Sequence, residues 1–192
     1  MIAILDYGSG NTQSVQNAVS RLGFKSVLTH DHGALRDADK VIFPGVGNAA
    51  TAMNSLKENQ LDLLVPQLTQ PVLGICLGLQ LMCRASQEGD VEGLKVFDTD
   101  VRHFPSGGIV PHMGWNSITD ATGTLFEGIT ANANFYFVHS FAADICANTI
   151  ARNDYLRPFS AALQKDNFYA VQFHPEKSGA AGAQLLINFL KL

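Results

Sequence analysis

The stretch Pro71-Val72-Leu73-Gly74-Ile75-Cys76-Leu77-Gly78-Leu79-Gln80-Leu81-Met82-Cys83 decides how the rest of the chain is read. It opens on a short apolar run and closes on a helix-like one, with a glycine-flanked cysteine where the two meet. This is the cysteine form of a nucleophile elbow, a sharp strand-to-helix turn with the reactive side chain at its tip. The glycines supply room where a Cβ would clash. A helix start behind Cys76 aims N–H groups and a positive dipole end at the sulfur, which favours thiolate over thiol. A buried structural cysteine between two glycines has the same spelling, so the turn needs partners elsewhere before it means chemistry.

Upstream, strands and helices alternate. Ile2–Leu5, Ser26–Leu28, Lys40–Phe43 and Pro71–Ile75 read as short strands. Val15, Ala18, Val19 and Leu22 fall at helical spacing with Gly23 placed to end the helix, and Ala49, Ala52, Met53 and Leu56 repeat that spacing. Strands alternating with helices in this way predict a parallel sheet covered on both faces. Downstream, Val101–Phe104, Trp115–Ile118, Phe135–Val138, Ile145–Ala151, Ala161–Gln164 and Tyr169–Phe173 read as strands, with a hairpin turn at Asp166-Asn167. Ala183, Leu186, Ile187 and Leu190 mark a closing helix. The expected fold is therefore α/β: three layers, a mixed and mainly parallel central sheet, flanking helices, flavodoxin-like.

The 192 residues fit one domain over 1–192, without linker or repeat. The net charge is −4 and no Lys/Arg cluster occurs, which argues against nucleic acid as a partner. No apolar run reaches the ~20 residues of a membrane span. The first residues read as a core strand rather than a leader. Three cysteines, Cys76, Cys83 and Cys146, make no disulfide framework, and the cytoplasm is the expected compartment. Cys83 and Cys146 sit among apolar residues and read as packing. No Cys/His spacing suggests a metal, and no cofactor is expected. Gly8-Ser9-Gly10-Asn11 fails as a dinucleotide loop because Gln13 stands where the third glycine belongs.

A nucleophilic cysteine needs a base, and the base an orienter. His174-Pro175-Glu176 follows the strand Ala170-Val171-Gln172-Phe173. Pro175 biases His174 toward extended backbone, where residues i and i+2 share a face, so Glu176 could hold one imidazole nitrogen and leave the other for the thiol. A surface turn is the bland alternative. His112 and His139 sit beside apolar residues and read as either bases or satisfied core histidines. His30, His32 and His103 look like loop or strand-end residues. Pro44-Gly45-Val46-Gly47, between a strand and a helix, could aim backbone N–H groups inward as an oxyanion hole.

Taken together, Gly74–Gly78 with Gln80, Pro44–Gly47 and His174-Pro175-Glu176 resemble the class I, or triad, glutamine amidotransferases. Three further segments narrow the likeness: Val110-Pro111-His112-Met113-Gly114-Trp115-Asn116, Tyr136-Phe137-Val138-His139-Ser140, and Gln172-Phe173-His174-Pro175-Glu176-Lys177-Ser178-Gly179. They resemble the branch of that family that feeds ammonia to a separate (β/α)8-barrel cyclase making imidazole glycerol phosphate and AICAR in histidine biosynthesis. The resemblance implies a Cys76, His174, Glu176 triad acting on glutamine. It implies Val46 and Leu77 N–H groups as oxyanion donors and Gly47, Gln80, His139, Ser140 and Phe141 around the substrate; many relatives carry Tyr where this chain has Phe141. Asn11, Trp115, Tyr136 and Lys177 match positions facing the cyclase, in a heterodimer. The family also implies little activity without the cyclase, with the Gly45–Gly47 segment reorienting before the Val46 N–H reaches the oxyanion.

Overall fold

Residues 1–8 and 10–192 are described by a computed structural model; the Gly8–Asn11 turn singled out in the sequence lies partly outside them, at Ser9. In chain order the elements are β1 (Ile2–Leu5), α1 (Thr12–Arg21), β2 (Ser26–Thr29), α2 (His32–Asp37), β3 (Lys40–Gly45), α3 (Ala49–Glu58), α4 (Leu61–Leu64), β4 (Val72–Cys76) and α5 (Leu77–Met82). Then come β5 (Ala85–Ser86), β6 (Val91–Glu92), β7 (Asp100–His103), β8 (His112–Ser117), β9 (Asn134–His139), β10 (Phe141–Ala143), β11 (Thr149–Tyr155), β12 (Arg157–Lys165), β13 (Phe168–Val171) and α6 (Gly179–Leu190).

Alternate residues of the central strands enter opposite apolar layers. Ala3, Leu5, Val41, Phe43 and Val72 face one cluster, with Leu35 of α2, Leu56 of α3, Leu61 of α4 and Leu79 of α5. Ile4, Ile42, Leu73 and Ile75 face the other, with Val15 and Val19 of α1, Phe135 and Phe137 of β9, and Leu186 and Phe189 of α6. Strands buried on both faces read as continuous apolar runs, and that is why Ile2–Leu5 and Lys40–Phe43 were legible. Among the described residues the main sheet has seven strands in the order β11-β12-β13-β4-β3-β1-β2. β2, β1, β3, β4 and β13 run parallel, while β12 and β11 are antiparallel additions at one edge. The expected mixed, mainly parallel sheet between helical layers is what forms. Two smaller sheets, β10-β7-β5-β6 and β8-β9, come from the chain after α5.

Several boundaries moved. The expected strand over 145–151 begins only at Thr149 and runs to Tyr155, because Cys146 and Thr149 close a turn between them (Thr149 N–H to Cys146 O at 3.1 Å). The strand expected over Tyr169–Phe173 ends at Val171. Helices α2 and α4 went unread, being six and four residues long, too short for a helical period to show. The Asp166-Asn167 hairpin is present, pairing Lys165 with Phe168, with Asp166 at φ 52°. Cys83 is buried and its thiol is pushed well above the ordinary value by that burial, and Cys146 packs partly buried against the same core.

The order β13-β4-β3-β1 sets neighbouring parallel strands so that their carboxyl ends fall in one row. In open α/β sheets that edge is where ligands bind. Here it carries Cys76 as the last residue of β4, and His174, Val46 and Asn11 beyond the ends of β13, β3 and β1 respectively.

Candidate active site

Cys76 ends β4 and opens α5 with φ 54° and ψ −105°, a backbone conformation that a side chain rarely adopts. The flanking glycines leave the space that turn needs. A Cβ on Gly78 would overlap the Phe43 carbonyl oxygen of β3, and one on Gly74 would sit 3.0 Å from Gly78 C and Leu79 N of α5. Helix and sheet therefore approach more closely than any side chain at those positions allows, and Cys76 is lifted to the sheet's rim.

His174 follows β13 in extended backbone, but Pro175–Lys177 is a turn of 3-10 helix. The expected extended run with His174 and Glu176 on one face is thus replaced by a tight turn that folds the carboxylate back. Glu176 Oε1 lies 2.8 Å from His174 Nδ1, and Asn11 Nδ2 donates to the same oxygen at 2.7 Å. Asn11 precedes α1 at φ 77° and makes no capping bond there; its amide is engaged by Glu176 instead. The histidine's backbone is clamped as well. Its N–H donates to Tyr136 O at 2.9 Å, and its carbonyl accepts the Ser178 hydroxyl at 2.6 Å; that hydroxyl in turn accepts the Tyr136 N–H.

Burial by itself would lower the His174 pKa, but its interactions with Cys76 and Glu176 outweigh burial and hold it at about 10. Burial likewise pushes the Glu176 carboxyl up, and the bonds from His174 and Asn11 reverse this, leaving it below the ordinary value. These interactions thus favour a charged imidazole against an ionised carboxylate. Its Nε2, buried on the Cys76 side of the ring, is the nitrogen left for proton traffic.

Beside Cys76 opens a cavity of about 320 Å³ lined by Val46, Gly47, Cys76, Leu77, Gln80, Glu88, Pro111, Val138, His139, Ser140 and Phe141. The expected oxyanion residues, Val46 and Leu77, and the expected substrate residues, Gly47, Gln80, His139, Ser140 and Phe141, all meet on its wall. Two residues on or behind it were missed. Glu88 is the one acid among the described lining residues; burial raises its carboxyl pKa, opposed by the Ala49 N–H bond at 2.8 Å. No local pattern around it gave a signal. Gln172 donates from Nε2 to Cys76 Sγ at 3.6 Å and accepts from Gln80 Nε2 at 3.1 Å. An amide inside an otherwise apolar strand end was the available clue.

Of the remaining expected residues, Trp115, Tyr136 and Lys177 gather on one surface. β8 and β9 pair so that Trp115 lies opposite Tyr136 and Met113 opposite Val138. Trp115 is 59% exposed and Met113 63%, both large apolar side chains turned outward. The Trp115 and Tyr136 rings meet edge to face at 6.1 Å, and Lys177 Nζ sits 5.9 Å from the Tyr136 ring centre. Asn11 instead joins the triad through Glu176. Among the described residues no cluster of His, Cys, Asp and Glu could hold a metal ion, and no helix is long and apolar enough to cross a membrane.

The family model "Glutamine amidotransferase class-I" matches residues 3–192. The chain is 55% identical over 194 residues to the imidazole glycerol phosphate synthase subunit HisH of Bacteroides thetaiotaomicron, covering 100% of this chain and 99% of that one. It is 49% identical, with the same coverage, to the HisH subunit of Escherichia coli strain K12. Among solved structures it is similar to a glutamine amidotransferase (TM-score 0.77, 16% identity, covering 99% of this chain and 97% of that one). It is also similar to a putative GMP synthase protein from Thermoplasma acidophilum (TM-score 0.76, 18% identity, covering 99% and 92%). At such identities these structures speak for the fold alone.

Proposed function

The chain belongs to the class I glutamine amidotransferase family, and from that premise we propose that it is the glutaminase subunit of an imidazole glycerol phosphate synthase, residues 1–192 acting as one domain. The observation that carries this reading is the strained Cys76 turn opening on a cavity, with the His174–Glu176 pair at 2.8 Å behind it. Full-length identity of 49–55% to HisH subunits supports the choice of branch.

His174 takes up the thiol proton of Cys76, and the sulfur attacks the side-chain carbonyl carbon of glutamine. The charge that develops on oxygen is met by the backbone N–H groups of Leu77 and Val46. His174 passes its proton to the amide nitrogen as the C–N bond breaks, releasing ammonia and leaving a γ-glutamyl thioester. His174 then takes a proton from water while the water oxygen attacks the thioester; glutamate departs and the starting state returns. Glu176 orients the imidazole and favours its charged form, and Asn11 orients Glu176.

Gly47, Gln80, His139, Ser140 and Phe141 enclose the substrate. Both Gln80 amide hydrogens are engaged within the protein, by Phe141 O at 2.9 Å and Gln172 Oε1 at 3.1 Å, so its carbonyl oxygen remains to accept from the ligand. Glu88 supplies the negative charge that an amino acid's ammonium group needs. Replacing Glu88 by Gln leaves the packing and removes one charged hydrogen bond, worth about 2 kcal/mol. The expected result is a roughly 30-fold rise in KM for glutamine with kcat little changed.

Ammonia must remain unprotonated and away from water to serve as a nucleophile elsewhere, which calls for an enclosed passage into a partner. The outward face of β8–β9, with Trp115, Tyr136 and Lys177 next to the triad turn, is the surface proposed for the (β/α)8 cyclase subunit, in a heterodimer. Cys76 must stay a free thiol, and a reducing cytoplasm maintains that state. The test is a coupled assay of glutamine hydrolysis and imidazole glycerol phosphate formation. The isolated glutaminase is expected to be at least about ten-fold slower than the complex with cyclase substrate bound, a difference of about 1.4 kcal/mol in barrier. Lys177→Ala should reduce that stimulation while Cys76 still reacts with electrophiles. Full hydrolysis without a partner would remove the gating proposed for Gly45–Gly47. Activation by a different synthase in place of the cyclase would change the assigned branch.

A further inference from the structure

From His139 on the cavity wall a line of side chains runs back into the protein, and the reaction above gives no role to His112 and Asn116, which lie behind it. Asn116 Oδ1 accepts the Ser117 N–H at 2.9 Å, so its Nδ2 is turned to His112 Nε2, 3.2 Å away. The amide there is a donor, which makes His112 Nε2 an acceptor and puts the His112 proton on Nδ1. Nδ1 lies 3.1 Å from His139 Nε2, so His139 carries its proton on its own Nδ1, 2.8 Å from the Phe141 carbonyl oxygen. A carbonyl can only accept. Both ends of the line are therefore backbone groups, Ser117 N–H and Phe141 C=O, and each independently demands the same direction.

Both rings are neutral. Burial lowers the His112 pKa to about 4, and burial with neighbouring positive charge lowers that of His139 to about 3. A charged His112 would set an N–H against the Asn116 amide hydrogens. The His112 ring is stacked between Tyr155 (4.0 Å, 12°) and Phe137 (4.8 Å, 21°), which fixes its plane. The line ends on the oxygen that also accepts Gln80 Nε2, and from Gln80 the bonds continue through Gln172 to Cys76 Sγ.

We propose that His112 is a positioning residue of the glutamine site: by holding His139 in its Nδ1–H tautomer it sets the Phe141 carbonyl, and through that oxygen the Gln80 amide on the cavity wall. This rests on the glutaminase reading above. His112 and Asn116 project inward from β8, while Met113 and Trp115 project outward from it. Partner docking and substrate grip thus share one strand.

Two measurements on the full chain test this. In 15N-imidazole spectra of the wild type between pH 6 and 8, His112 and His139 are expected as neutral Nδ1–H tautomers; an Nε2–H tautomer at His139 overturns the proposal. His112→Phe keeps the ring stack and deletes both nitrogens. With the cyclase present it is expected to raise KM for glutamine about ten-fold, leave kcat within about three-fold, and leave turnover on free ammonia unchanged. An unchanged KM overturns the proposal. Should His112→Phe fold poorly, Asn116→Ala, which removes the terminal amide and leaves both rings, is expected to give the same split at about three-fold, and an unchanged KM there counts equally against it. Absence of glutamine-dependent ammonia release in the wild-type complex would instead overturn the glutaminase reading, while the tautomer spectra would still judge the hydrogen-bond line.

Discussion

Cys76→Ala is expected to lose glutamine hydrolysis by at least about 10⁴-fold, with the ammonia-driven reaction of the complex intact. The cavity, the His174–Glu176 pair and the N–H groups of Leu77 and Val46 remain in that variant, so substrate still binds. No atom is left to form the thioester, and water must attack an unactivated amide. Stability gives a second, independent reading of the same residue. Cys76 sits at φ 54° in a region that penalises a Cβ. Cys76→Gly and Cys76→Ala both lack the sulfur and differ in that Cβ, so Cys76→Gly is expected to be the more stable by about 1 kcal/mol, with neither active. Equal melting temperatures for the two would mean that the turn holds no strain.

Gly78→Ala is expected to be the most damaging single-methyl change in the molecule. The added Cβ would overlap the backbone oxygen of Phe43, a buried atom of a central strand that cannot turn aside. Relief requires α5 to move off β3, which disturbs Cys76, Gln80 and the cavity together. A loss of about 3 kcal/mol or more is expected, a large share of a domain's stability, and thermal unfolding reads it directly. Gly47→Ala is the useful contrast. It has positive φ (101°) but open space around it, so its cost is confined to backbone strain. A Gly78→Ala protein as stable as the wild type would show that helix and strand do not need their close approach.

What the sequence made legible follows the range of the interactions involved. The Cys76 turn is written locally, in glycines four residues apart, and the parallel strands in runs apolar on both faces. His174 and Glu176 are two residues apart, so their pairing was readable even though its geometry was not; Pro175 starts a 3-10 turn where an extended run was expected. Glu88 reaches the cavity from the β5–β6 loop, where its carboxylate accepts the Ala49 N–H from a residue thirty-nine positions earlier. The tautomers of His112 and His139 depend on Ser117 and Phe141 at the two ends of a line that no spacing in the chain announces. Asn11 matched a partner-facing position, and only the fold shows its amide on Glu176, 165 residues away.

The most direct test is covalent capture of the nucleophile. The chain in complex with the cyclase is treated with a glutamine-like electrophile and digested, and the adduct is located by mass spectrometry. The expected result is one adduct, on the peptide carrying Cys76, suppressed by excess glutamine and absent from Cys76→Ala. An adduct on Cys83 or Cys146 instead, or ammonia release persisting at the wild-type rate in Cys76→Ala, would contradict the assignment of Cys76 as the residue that opens glutamine.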